Sequence, residues 1–187
     1  MMISSARAAQ DSFVRRTRTH PMALPEKMLR AFLPPRTIGT GLVVSTAVLE
    51  PACEIGGDAF DHCLTETTLH ATVLDAMGHD LASGLTTAVA LAACRNARRT
   101  GADLPDLVQC VDDALAHWLP DQFCTGVLAQ LDLLSGTLRW SNCGHLTPLL
   151  IRDQRLLVDA MRGEPDPPRW GCPRCWPGGS GRRTRSR

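Results

Sequence analysis

Ile55-Gly56-Gly57-Asp58-Ala59-Phe60-Asp61 and Asp75-Ala76-Met77-Gly78-His79 bracket two short apolar runs, Phe60 to Leu64 and Leu69 to Leu74. The runs are joined by Thr65-Glu66-Thr67-Thr68, a polar connection of the length that links antiparallel neighbours. The spacing predicts a hairpin. Antiparallel partners reverse direction, so Asp58 at the start of the first strand and Asp75 at the end of the second come to the same end of the sheet. Gly56, Gly57 and Gly78 leave room for a ligand to approach the backbone. Two carboxylates converging beside backbone carbonyls suit a hard divalent cation such as Mg²⁺ or Mn²⁺, which takes oxygen ligands and keeps several waters. A plainer reading stays open, because Asp beside Gly is also ordinary turn chemistry.

Upstream, Pro25 to Phe32 is a short helix candidate stopped by Pro34-Pro35, and the Val- and Thr-rich segment Leu42 to Leu49 reads as a strand ending before Pro51. Downstream of the hairpin the period changes. Leu85, Val89 and Cys94, with small residues between them and Arg95, Arg98, Arg99 and Gly101 at the close, describe a helix with basic residues in its last turn. Asp103-Leu104-Pro105-Asp106 supplies a capping acid and a first-turn proline for a second helix, with Leu104, Leu107, Val108, Val111, Leu115 and Trp118 as its apolar stripe. Asp112 and Asp113 fall off that stripe and read as solvated. Strand patterns return at Thr125 to Leu133, Thr137 to Cys143, Leu149 to Arg152 and Leu156 to Val158, with turns at Ser135-Gly136 and Gly144-His145. Strands, then two helices, then strands predict an α+β layered domain and argue against alternating βαβ units.

These pieces, in this order, resemble a known family. Glu50-Pro51-Ala52, Gly56-Gly57-Asp58 with Phe60-Asp61, Asp75-Ala76-Met77-Gly78-His79, Phe123-Cys124-Thr125 and Asn142-Cys143-Gly144-His145-Leu146-Thr147-Pro148 look like the motifs of a metal-dependent PPM-type serine/threonine protein phosphatase of the SpoIIE-like bacterial branch. The resemblance runs from about Leu29 to about Val158. It implies a β-sandwich flanked by antiparallel helix pairs, with the metal site at one edge of the sandwich and the C-terminal third of the fold incomplete here. It further implies that Asp75 bridges two Mg²⁺ or Mn²⁺ ions, that the Ala76 carbonyl serves one of them, and that Asp58 binds the other directly or through water. The implied substrate is a phosphoprotein of the anti-sigma-factor-antagonist type. His79 and His145 sit in family motifs without an assigned role, and Asp80 stands where most of the family has glycine.

Composition narrows the alternatives. The chain has 187 residues, 44% hydrophobic and 21% charged, which suits one globular domain. A net charge of +1 gives no overall reason to expect nucleic acid or an anionic membrane as partner. Met1 to His20 carry several arginines but lack the apolar core of a signal peptide, and the longest apolar run, around Leu85 to Cys94, falls short of a membrane span. The expected location is the cytoplasm. Six cysteines lie scattered at positions 53, 63, 94, 110, 124 and 143, which in a reducing compartment makes them small hydrophobes.

The organisation predicted is a disordered basic N-terminus over residues 1–24, a partial phosphatase domain over residues 25–159, and a disordered tail over residues 160–187. That tail has no Leu, Ile, Val or Phe but seven arginines, five glycines and five prolines, too little apolar surface to offset its conformational entropy. It lacks the further acids of the resembled family and reads as a frame change or a truncated gene copy. Its Cys172-Pro173-Arg174-Cys175 is half of a zinc site, and no second pair completes it. The competing functional reading is a catalytically impaired remnant or a non-catalytic regulatory binding module.

Overall fold

The computed structural model describes residues 30–49, 56–146 and 148–156. Its central element is a four-stranded antiparallel sheet built from β3 (Asp58–Leu64), β4 (Thr68–Ala76), β5 (Cys124–Asp132) and β6 (Leu138–Cys143), in that spatial order. Two small sheets accompany it: β1 (Thr37–Gly39) with β2 (Val44–Thr46), and β7 (Ile151–Arg152) with β8 (Arg155–Leu156). Between β4 and β5 run α1 (Leu81–Arg99) and α2 (Leu104–Trp118). The predicted α+β class and hairpin are both present, with antiparallel sheets and one helix pair among the described residues.

The helices start where local chemistry favours it. Asp80 caps α1 by accepting from the Ser83 amide at 2.9 Å, while the Ser83 hydroxyl accepts from the Asp80 amide at 3.1 Å. Asp103 caps α2 through the Asp106 amide at 3.0 Å. Both helices pack on one face of the sheet. Ala90, Leu91, Cys94 and Ala97 of α1 and Leu104, Leu107, Val111 and Leu115 of α2 meet Ala59, Leu74, Ala76, Cys124, Leu128 and Cys143 in a single core. Most of these side chains on α1 are small, which lets the helix approach the sheet closely.

A strand alternates its faces, so Ala59 and Asp61 point toward the helices while Asp58, Phe60 and His62 point away. Contacts on both sides agree. Asp61, 3% exposed, accepts from Arg95 Nη2 at 2.8 Å and from Arg98 Nη1 at 2.9 Å, both on α1. On the opposite face His62 Nδ1 bonds Ser45 Oγ of β2 at 2.9 Å and Nε2 bonds the Pro35 carbonyl at 2.6 Å. The small β1–β2 sheet thus lies against β3, on the side away from the helices.

Several sequence expectations need correction. The strand predicted over Leu42 to Leu49 shrinks to three residues, and its partner β1 was not foreseen. Leu85 is half exposed, and the buried face of α1 runs instead through Ser83, Thr87, Ala90, Leu91, Cys94 and Ala97. Trp118 at the end of α2 is 69% exposed, although Leu115 before it is buried and Leu119 after it packs against the core. The last two strands pair with each other and do not continue the four-stranded sheet. Cys94, Cys124 and Cys143 are buried as expected, whereas Cys110 is exposed. No helix among the described residues is long and apolar enough to cross a membrane. The helix start at Pro25, the Glu50-Pro51-Ala52 motif, Cys53, Thr147, Val158 and both termini, with the Cys172–Cys175 pair, lie outside the described residues.

Candidate functional site

The end of the sheet where β3 begins and β4 finishes gathers the acids picked out from the sequence. Asp58 pairs with Asp75 in the β3–β4 register, and Asp75 pairs in turn with Thr125 of β5. Directly opposed residues share a face, with Cβ atoms roughly 4.5–5.5 Å apart. That face is the one turned from the helices, since the alternate residues Ala59, Leu74, Ala76 and Cys124 are in the core. Partial burial, and then the facing Asp75 charge and a hydrogen bond from it, hold the Asp58 carboxyl above its ordinary value of 3.8, with His145 pulling the other way. Two like charges facing one another across the strands are what a divalent cation would relieve.

The backbone under this pair is pinned from three sides. The Gly57 carbonyl accepts from the Ala76 amide at 3.0 Å and from the Thr87 hydroxyl of α1, whose oxygen also lies 3.1 Å from the Ser83 carbonyl oxygen. The next amide, Met77, donates to the Phe123 carbonyl at 3.0 Å. Gly57 leaves no open space for a ligand, contrary to the sequence expectation: a Cβ there would stand 2.2 Å from the Ala76 carbonyl oxygen. The glycine serves strand against strand. At Gly78, by contrast, φ of +97° favours glycine for its conformation as the chain turns into α1.

A second loop closes on the acids from β6. Asn142 Oδ1 accepts from the His145 amide and Asn142 Nδ2 donates to the His145 carbonyl, both at 2.9 Å, so the turn at Gly144 is held at its two ends. The His145 ring is held through Nδ1, 3.0 Å from Thr125 Oγ1, and that hydroxyl lies 3.5 Å from the Asp75 carbonyl oxygen. His79 is exposed on the loop before α1. Asp80, the departure from the family's glycine, acts as the α1 cap. Thr87 carried no role in the sequence reading; its signal is a threonine on the buried, small-residue face of a helix, where a hydroxyl needs a partner.

Asp58, Asp75 and the backbone at Ala76 are thus brought together, and the donor set suits one hard cation whose remaining positions are filled by water. Among the described residues no group of three or more His, Cys, Asp or Glu side chains is arranged to hold a metal. The two-ion set expected from the resemblance is therefore not assembled by these residues.

The family model described as Stage II sporulation protein E (SpoIIE) matches residues 65–168, more than half of the chain. The chain belongs to the SpoIIE family of PPM-type phosphatases. No curated protein matches it. Solved structures share the fold. The SiaA-PP2C domain of Pseudomonas aeruginosa superposes with a TM-score of 0.54 at 20% identity, over 76% of this chain and 56% of that one. A chain from a structure of the bacterial stressosome gives 0.53 at 15% identity, over 70% and 61%. RsbX, crystallised in complex with magnesium, gives 0.51 at 12% identity, over 71% and 59%. This SpoIIE-family chain spans less than two thirds of the length of each.

Proposed function

We propose that the chain carries a metal-dependent phosphoserine and phosphothreonine phosphatase site at the Asp58–Asp75 end of the sheet. The observation that carries this reading is the opposition of those two carboxylates across β3 and β4, with Asp58 held above its ordinary value by burial and by its neighbour's charge. Asp58, Asp75 and the Ala76 carbonyl would hold Mg²⁺ or Mn²⁺. A divalent cation bound there supplies a water of lowered pKa and neutralises charge on the phosphoryl oxygens. The chain's own part is to keep the two carboxylates facing one another, through the Gly57 carbonyl clamped by Ala76 and Thr87. The magnesium complex of RsbX supports the choice of metal class.

The substrate we infer is a phosphoprotein of the anti-sigma-factor-antagonist type. Phosphate release from such a protein in Mn²⁺, measured beside release from free nucleotides, tests this. Preference for nucleotides overturns it.

One observation favours a second reading, an impaired remnant or a regulatory binding module. Two carboxylates offset only part of the charge of two divalent ions, and the described residues offer no third acid beside them. On this second reading the chain turns over slowly. Mn²⁺-dependent hydrolysis of an aryl phosphate, compared with the Asp75→Asn variant, separates the readings. Robust turnover that the substitution abolishes would show that two acids suffice.

A further inference from the structure

We propose that His145, oriented by Thr125, is the proton donor to the seryl or threonyl oxygen that leaves when the phosphate ester is cleaved beside Asp58 and Asp75. This rests on the phosphatase reading above and adds a residue to it. The His145 loop is built and not loose: Gly144 turns with φ of +73° and bridges Gly126 of β5, and Asn142, 9% exposed, holds both backbone groups of His145 at 2.9 Å. The ring is aimed by Thr125, the residue paired directly with Asp75. A hydroxyl has one proton to give. With that proton directed at the Asp75 carbonyl 3.5 Å away, Thr125 accepts from Nδ1–H, and Nε2 becomes the ring atom that gains and loses a proton. Thr125, which holds the ring, sits directly opposite Asp75 in the sheet, which places the ring beside the acid pair. His79 is exposed and its ring makes no hydrogen bond among the described residues, so nothing orients it for the same task.

A water oxygen bonds to phosphorus as the bond from phosphorus to the seryl oxygen breaks. The bonding pair goes to the seryl oxygen, which takes the proton from Nε2. The attacking water loses its proton to solvent, and Nε2 is reprotonated from solvent.

Leaving-group dependence tests this. A serine alkoxide needs a proton to leave, whereas p-nitrophenolate does not. In single turnovers with the full chain in excess and Mn²⁺ present, His145→Asn should slow a phosphoserine peptide about 100-fold and p-nitrophenyl phosphate by less than about threefold. Equal losses on both, or a peptide rate that does not depend on His145, overturn the proposal. A readout without turnover is the ¹⁵N spectrum of the neutral ring, expected as the Nδ1–H tautomer and lost in Thr125→Val; an Nε2–H tautomer in the unmodified chain overturns it. Mn²⁺ binding should be unchanged in His145→Asn and lost in Asp75→Asn. If the Asp75 variant binds Mn²⁺ normally, the phosphatase reading fails first and this proposal with it.

Discussion

A methyl group at Gly57 would stand 2.2 Å from the Ala76 carbonyl oxygen, well inside contact distance, so the first residue of the acid hairpin and the last are pressed together. Gly57→Ala must push the start of β3 away from the end of β4. The expected cost is about 1–3 kcal/mol of stability, in the range of overpacking, together with weaker Mn²⁺ binding. Gly56→Ala is the control, because the nearest atom to its added carbon is the Asp58 nitrogen at 3.8 Å. Thermal unfolding and a Mn²⁺ titration of the two variants check this. Equal behaviour would show that the close approach does not set the site.

The raised Asp58 carboxyl predicts a pH dependence whose sign is fixed. Its folded value lies above the ordinary 3.8, by burial first and the Asp75 charge second, so ionising it costs the folded chain more than the unfolded one. The metal-free chain therefore loses stability as pH rises from 3.8 through the raised value, and nothing further above it. Asp58→Asn should raise the metal-free melting temperature at neutral pH, and the gain should fade as pH falls through that window. Excess Mn²⁺ should reverse the order, since only the unmodified chain has both carboxylates to hold the ion. Melting curves of both proteins across the acid range test each part.

Asp61 is expected to matter for stability rather than for the chemistry. Its carboxylate is 3% exposed and held by Arg95 and Arg98, which are themselves mostly covered. Removing one partner of a buried ion pair costs about 3–5 kcal/mol, because the charge left behind stays desolvated. Asp61→Ala should destabilise the chain by that order, and a chain that also carries Arg98→Met should recover part of the loss. Denaturant midpoints of the two proteins measure this. A single variant as stable as the parent would mean that the arginines reach water without moving the fold.

The acid hairpin was legible because its information is local: two apolar runs, a polar turn of the right length, and the reversal of antiparallel strands, which alone brings Asp58 opposite Asp75. The start of α2 was legible for the same reason, in Asp103 with Pro105, whereas the Asp80–Ser83 cap of α1 emerges only in the structure. What failed was non-local. Arg95 and Arg98 read as last-turn residues favoured by the helix dipole, yet they are held by a carboxylate 34 and 37 residues away. Periodicity places Leu85 and Trp118 on apolar stripes, yet both face solvent, because a stripe alone does not say which of its positions another element covers. β1 is three residues long, too short for an alternation pattern, and it is recognised only through its pairing with β2 and the contacts of His62 with Ser45 and Pro35. The clamp of Thr87 on Gly57 needs the packing of α1 on the hairpin, which no spacing encodes.

We propose that the facing carboxylates of Asp58 and Asp75 form a divalent-cation site. Its most direct test is a Mn²⁺ titration of the 187-residue chain at neutral pH, followed by the paramagnetic resonance of the free ion, beside the Asp75→Asn variant. One Mn²⁺ should bind with a dissociation constant of about 10⁻⁴–10⁻³ M, the weak end of the span seen for oxygen-liganded Ca²⁺ sites, and no binding should be measurable in the variant. An affinity that is the same in both proteins, or no binding to the unmodified chain at millimolar Mn²⁺, would contradict it.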